Sequence, residues 1–200
     1  MKLYGSLTSP YVRKVRAFMK ERDIDCEFIV EGPHDEAGNV ARLNPLGKVP
    51  VMVRDDGEVL FDSPMLIEYL DSLKDEALYP PPSEARWQVQ RWRALGQGLC
   101  DATVARLMET RRAPERQDPA MIARQEGKIA AALRFANDRV SGGDYLFGER
   151  FGIADIAMAV ALEYIDFRYP HDWRSQHERL ARWLADVADQ PSLKETRFPA

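Results

Sequence analysis

Three short stretches carry residue types able to hold and activate a small anionic ligand. The first is Ser9-Pro10, which follows a short apolar segment. Serine followed by proline is a helix start, with Ser at the cap and Pro at the first helical position. A helix that begins there turns free N–H groups and the positive end of its dipole toward an incoming anion. The second stretch is Asn44-Pro45-Leu46-Gly47-Lys48-Val49-Pro50. By itself it is a loop with two prolines and a glycine; a cis Val49-Pro50 bond would turn the Val49 backbone toward an extended peptide ligand, with the Lys48 cation beside it. The third is Asp62-Ser63-Pro64, a second Ser-Pro helix start. Asp62 can accept from an ammonium while Ser63 and the helix N–H groups donate to a carboxylate. That pairing suits the α-amino-acid end of a ligand.

The elements that must position these groups follow from local patterns. Lys2 to Gly5 is short and β-compatible. Residues 10–22 predict a helix with Val12, Val15 and Met19 on one face and Arg13, Arg16 and Lys20 on another. Residues 26–30 read as a buried strand, residues 34–44 as a polar stretch with room for a short helix. Residues 51–53 and 59–61 flank Asp55-Asp56-Gly57 and predict a hairpin, and 64–73 a helix. The order β-α-β-(α)-β-β-α is the thioredoxin-like arrangement, a parallel unit followed by an antiparallel hairpin. Three consecutive prolines within Leu78-Tyr79-Pro80-Pro81-Pro82-Ser83 cannot continue a helix or a central strand and mark a linker. Beyond it, helices are expected at about 84–112, 119–140, 153–166 and 176–189. The expected class is therefore α+β with two domains: a thioredoxin-like domain over 1–77 with a mixed four-stranded sheet, and an all-helical domain over 84–200.

Composition narrows the class. Hydrophobic residues at 45% and charged residues at 30% describe a chain able to bury a core. The net charge of −4 argues against a general nucleic-acid binder. The acidic excess lies in the first 80 residues, so an anion site there must be assembled locally. Cys26 and Cys100 have the spacing of neither a disulfide framework nor a metal site. No signal-peptide pattern and no apolar run of about 20 residues is present, which leads to the expectation of a reduced, cytoplasmic protein that neither enters a membrane nor binds a metal.

Taken together, S-P-Y-V-R-K-V-R (Ser9–Arg16), N-P-L-G-K-V-P (Asn44–Pro50) and D-S-P (Asp62–Pro64) resemble the glutathione transferase family. The resemblance extends to the back half, where Phe151-Gly152-Ile153-Ala154-Asp155-Ile156-Ala157 looks like the family's capping box and hydrophobic staple. Asp155 would reach back to the cap while Phe151 packs on Ile156. The chain departs from the family pattern in having Gly152 where Ser or Thr is usual, which removes half of the reciprocal bonding.

The resemblance implies roles. Ser9 would lie near the sulfur of bound glutathione. Val49 would pair through its backbone with the cysteinyl unit, next to a cis Pro50. Asp62 and Ser63 would hold the γ-glutamyl end, and Lys48 the glycine carboxylate. Glutathione enters as a co-substrate with a small electrophilic partner, and a homodimer is expected. His34 lies in a loop where some classes add a contact, although a solvated loop histidine explains it better. The chemistry is consistent. A thiol of pKa about 8.5 is a few per cent ionised at pH 7. Lowering that pKa by about two units takes about 2.7 kcal/mol. A hydroxyl bond to charged sulfur supplies about 1.5–3 kcal/mol, and the helix end about 0.3–1 kcal/mol. No separate general base is needed.

Members with Cys at the Ser9 position form mixed disulfides with glutathione; serine there favours conjugation. Cys26 is expected buried and inert in the second strand, and Cys100 falls in a back-half helix. An isomerase of the zeta type is disfavoured by Ser-Leu-Thr-Ser-Pro, which lacks cysteine. Tyr4 reads as a strand residue, and Tyr11 as a candidate to line the second pocket. A competing function is a non-catalytic binding module on the same fold, as in stringent-starvation-like relatives; such modules are expected to lose the residues that hold glutathione. In the back half, Arg106, Met108, Arg111 and Arg112 end one helix and Phe167, Arg168 and Tyr169 another. They form either a solvated basic face over core aromatics or a cationic lining for an acidic or polarised electrophile.

Overall fold

The computed structural model describes the chain except His34, Glu36, Ala37, Ser141 and Ala200. It divides into two compact units, Met1–Pro80 with Pro191–Ala200 and Pro81–Gln190.

In the first unit, β1 (Lys2–Gly5) alternates outward and inward, so that Leu3 and Gly5 face the interior. Ser9 then caps α1 (Pro10–Glu21), with proline at the first helical position as the sequence predicts. The strand and helix touch at Gly5. A Cβ there would lie 2.5 Å from a Val12 methyl, so glycine is what lets α1 settle onto the sheet. Next come β2 (Glu27–Val30), the one-turn α2 (Val40–Leu43), β3 (Val51–Val53), β4 (Val59–Phe61) and α3 (Ser63–Ser72). Sheet order is β2-β1-β3-β4, with β1 parallel to β2 and antiparallel to β3, and β3 antiparallel to β4. Gly57 at φ 87° turns the β3–β4 hairpin, closed by the Arg54 amide donating to the Glu58 carbonyl at 2.9 Å. Leu3, Val51 and Met52 of the sheet are buried, as are Val12, Val15 and Phe18 of α1 and Leu66, Ile67 and Leu70 of α3.

The basic face expected on α1 differs from the observed one. Arg13 is 1% exposed and Lys14 is also buried. The cause is the end of the chain, which returns to this unit as α8 (Pro191–Lys194) and packs on α1. Arg13 donates to the Leu193 carbonyl at 3.3 Å and its guanidinium sits 4.5 Å from the Phe198 ring centroid. A buried cation needs such partners to offset desolvation. At the rim, Lys20 pairs with Glu195 at 2.9 Å and Ser192 donates to Glu21 at 2.7 Å.

The second unit is helical: α4 (Glu84–Thr110), a short 3-10 turn (Pro114–Arg116), α5 (Pro119–Arg139), α6 (Ile153–Arg168) and α7 (Glu178–Val187). Every residue from Ile153 to Leu162 is buried, so α6 is the central helix rather than an amphipathic surface one. It packs on α4, and the two backbones approach closely at Gly96, where a Cβ would lie 2.5 Å from the Ala157 carbonyl oxygen. In α7, Leu180, Trp183, Leu184 and Val187 form a buried stripe at helical spacing against α5 and α6. Asp155 accepts from the Gly152 amide at 2.9 Å and the Leu146 amide at 2.8 Å. Gly152 has no side chain to reciprocate, so half of a capping box anchors α6. The Phe151 ring is buried and meets Tyr145 edge-on, with centroids 6.1 Å apart.

Among the described residues, no helix is long and apolar enough to cross a membrane.

Candidate functional site

The strand register brings three of the sequence motifs to one edge of the sheet. Tyr4 near the end of β1 lies opposite Val51 at the start of β3, and Val51 lies opposite Phe61 at the end of β4. The segments that follow β1, precede β3 and follow β4 therefore leave the sheet on the same side. They carry Ser9, then Lys48-Val49-Pro50, then Asp62-Ser63.

Ser9 is 9% exposed, and its Oγ accepts from the Val12 amide at 3.3 Å. That bond uses a lone pair. The hydroxyl proton has no acceptor among the described residues, so a donor remains at the positive end of a 12-residue helix.

The Val49-Pro50 peptide is cis. The loop leading to it is braced by Asn44, which is buried; its Nδ2 donates to the Lys48 carbonyl at 2.8 Å and its Oδ1 accepts from the Leu46 amide at 3.0 Å. Gly47 takes φ 58° at the turn, where a side chain would be strained. The Val49 amide makes no hydrogen bond among the described residues, and the Lys48 ammonium is exposed without a carboxylate partner there. Sequence reading gave Asn44 no role. The signal was present, because Asn ahead of a Pro-x-Gly run is a former of side-chain-closed turns.

At α3 the cap lies one residue earlier than expected. The Leu66 amide bonds the Asp62 carbonyl at 2.9 Å, which puts Asp62 at the cap and Ser63 in the first turn. Asp62 has φ 78°, a conformation that costs a residue with a side chain about 1–3 kcal/mol and gathers at ligand sites. Its carboxylate makes no capping bond and is exposed. Ser63 is 2% exposed and its buried Oγ has no hydrogen-bond partner in the structure. An unpaired buried hydroxyl costs about 1–3 kcal/mol, which an acceptor supplied by a ligand would remove. Asp71, farther along α3, is buried and accepts from the Leu78 and Tyr79 amides at 2.8 and 3.0 Å, tying the exit of the unit to the helix.

Of the other candidates, His34 lies outside the described residues. Tyr11 is half-buried, its ring centroid 5.4 Å from the Lys14 ammonium, and Tyr4 is half-buried in β1. Cys26 precedes β2 rather than lying in it and is half-buried, not enclosed, because pairing with β1 begins at Glu27. Burial still pushes its thiol up to about 11, so it stays protonated at neutral pH. Cys100 is buried in α4. No group of three or more His, Cys, Asp or Glu side chains is placed to hold a metal among the described residues.

In the helical unit the basic residues divide. Arg106 donates to Glu126 at 2.7 Å and lies 3.7 Å from the Tyr169 ring centroid, and Arg112 pairs with Glu109 at 2.9 Å. Arg111 is exposed with no carboxylate partner among the described residues, and Arg168 lies 3.8 Å over Phe167. Met108 is exposed.

Comparison with known proteins gives a consistent picture. The family model for the glutathione S-transferase N-terminal domain matches residues 3–78, and that for the C-terminal domain residues 119–186. The GST-like protein YibF of Escherichia coli is 34% identical over 100% of this chain and 99% of its own. A glutathione S-transferase from Methylobacillus flagellatus, solved with glutathione bound, is 40% identical and superposes with a TM-score of 0.94 over 98% of each chain. A glutathione transferase family member from Pseudomonas fluorescens Pf-5, solved with S-(propanoic acid)-glutathione, is 33% identical with a TM-score of 0.87, covering 100% of this chain and 97% of that one.

Proposed function

Because the chain belongs to the glutathione S-transferase family, we propose that it is an enzyme that binds reduced glutathione, stabilises its thiolate, and transfers it to an electrophilic small molecule. The observation that carries the reading is the buried, unpartnered Ser63 hydroxyl beside Asp62 at φ 78°, on the sheet edge that also carries Ser9 and Val49. A carboxylate of the γ-glutamyl end accepts from Ser63 and from the first N–H groups of α3, and Asp62 accepts from the adjacent ammonium. The Val49 backbone pairs with the cysteinyl amide, and Lys48 neutralises the glycine carboxylate. This geometry delivers the sulfur to the Ser9 hydroxyl, which donates to the thiolate in concert with the α1 dipole. Cysteine is absent at position 9, which supports conjugation over disulfide exchange. Glutathione bound to the Methylobacillus protein and the thioether bound to the Pseudomonas protein support the same ligand and a small electrophile here. Family membership also supports a homodimer, which sedimentation distinguishes from a 22.8 kDa monomer.

The test is retention on immobilised glutathione, followed by thiol consumption with a panel of electrophiles. Retention with enzyme-dependent thiol loss is expected. Asp62→Asn, which tolerates the backbone and removes the charge, should raise the glutathione KM with little change in kcat. Retention without thiol loss across the panel favours the binding-module reading instead.

A further inference from the structure

The basic residues at the ends of α4 and α6 fall into two groups. Arg106 and Arg112 each have a carboxylate at hydrogen-bond distance, as does Arg174, whose guanidinium grips Asp166 at 2.6 and 2.8 Å. Arg111 and Arg168 have none among the described residues. Arg168 is half-buried, and its Nε is buried with no hydrogen-bond partner. A guanidinium donor enclosed in this way is expensive to leave unmade. Both arginines end their helices, where the negative end of the dipole offsets part of the charge. They also act on the same group. Arg168 follows Tyr164 by one turn on α6, and the charges of both Arg168 and Arg111 pull the Tyr164 hydroxyl down against its burial. Burial pushes the Tyr164 hydroxyl above its ordinary range, so it stays neutral, adding a polar group and no counter-charge. Phe167 under the Arg168 guanidinium provides a flat apolar floor. Two uncompensated cations, a phenol and an aromatic face are the set that recognises a planar carboxylate on an apolar body.

We propose that the helical unit binds the second substrate through a carboxylate held by Arg168 and Arg111, so that the electrophile this protein accepts is an organic acid. The proposal rests on the conjugation reading and names its substrate class. With a halogenated aryl acid, the glutathione sulfur forms a bond to the ring carbon, the carbon–halogen bond breaks, halide leaves, and the thiol proton goes to solvent.

The test compares 4-chloro-3,5-dinitrobenzoate with its neutral amide at saturating glutathione. The wild type should favour the acid in kcat/KM. Arg168→Gln should lose about tenfold or more on the acid, the effect of one charge-assisted hydrogen bond, while the amide changes by less than about twofold. Arg111→Gln should move in the same direction by less, Arg168→Lys should recover part of the loss, and Arg112→Gln should leave the acid-to-amide ratio unchanged. Glutathione KM should stay constant throughout. An equal loss on acid and amide, or no loss on either, overturns the proposal. If the wild type consumes neither compound, the conjugation reading fails on these electrophiles, and the site is judged by calorimetric binding of unreactive 3,5-dinitrobenzoate. Binding that weakens about tenfold in Arg168→Gln sustains it; absent or unchanged binding overturns it.

Discussion

In the first unit, the groups that gather at the sheet edge are mostly fixed by backbone: a helix start at Ser9, a loop held by Asn44 ahead of Val49, and the turn of chain at Asp62 that buries Ser63. In the helical unit, the proposed substrate contacts are long cationic side chains, and the pairs that Arg106 and Arg112 make with carboxylates set them apart from the rest. The first kind of site is local in the chain, and a few adjacent residues announce it. The second kind is decided by pairings such as Arg106 with Glu126, across two helices. A site of backbone groups resists drift, whereas one acquired or released counter-charge resets a site of side-chain charges.

The contrast is sharpest if the backbone-built site fails at single atoms. Ser9→Ala should leave glutathione binding largely intact and reduce kcat/KM near neutral pH by about ten- to a hundredfold, the loss of one bond to a charged sulfur. Removing a group that stabilises the anion raises the thiol pKa, so the deficit should shrink as pH rises through it; a pH profile with a model electrophile checks this. Ser9→Gly keeps the cap preference and should behave alike. A wild-type profile in both variants would reduce Ser9 to a helix cap. Ser63→Ala makes a second cut. Glutathione KM should rise about tenfold, yet thermal stability should hold or increase, because the hydroxyl removed is buried and unpaired in the free protein. A drop in Tm would mean that Ser63 serves the fold.

In the helical unit the largest structural effect belongs to a contact, not a charge. Gly96→Ala sets a methyl against the Ala157 carbonyl and should destabilise by about 1–3 kcal/mol, net of a helix-propensity gain of about 1 kcal/mol. Gly98→Ala, with nothing within 4 Å, should keep that gain and stabilise by up to about 1 kcal/mol. Denaturant titration of the pair separates close approach from propensity. The smallest effect is expected at Cys26. A thiol pushed up to about 11 leaves roughly one thiolate in a thousand at pH 8, so alkylation should be slow and Cys26→Ser should match the wild-type rate.

Much of this architecture is legible in the chain because its signals are short. Ser9-Pro10 marks α1, Asp55-Asp56-Gly57 marks the hairpin, and Pro80-Pro81-Pro82 ends regular structure. What could not be read depends on distant partners. Arg13 has the spacing of a solvated residue and becomes buried only because Leu193 and Phe198 return to it. Asp71 looks like one more acid on an exposed helix until the Leu78 and Tyr79 amides find it. The arginines of α4 look equivalent in sequence; Glu126 and Glu109 make them unequal.

The return of residues 191–199 to α1 also sets an order of events. Synthesis delivers α1 before the helical unit and its cover after it. Throughout that interval the nascent first unit carries Arg13 and Lys14 in water, solvated rather than enclosed. The ring of Phe198 and the carbonyl of Leu193 reach Arg13 only after the helical unit has been made, so the enclosure of Arg13 waits on a segment 180 residues downstream of it.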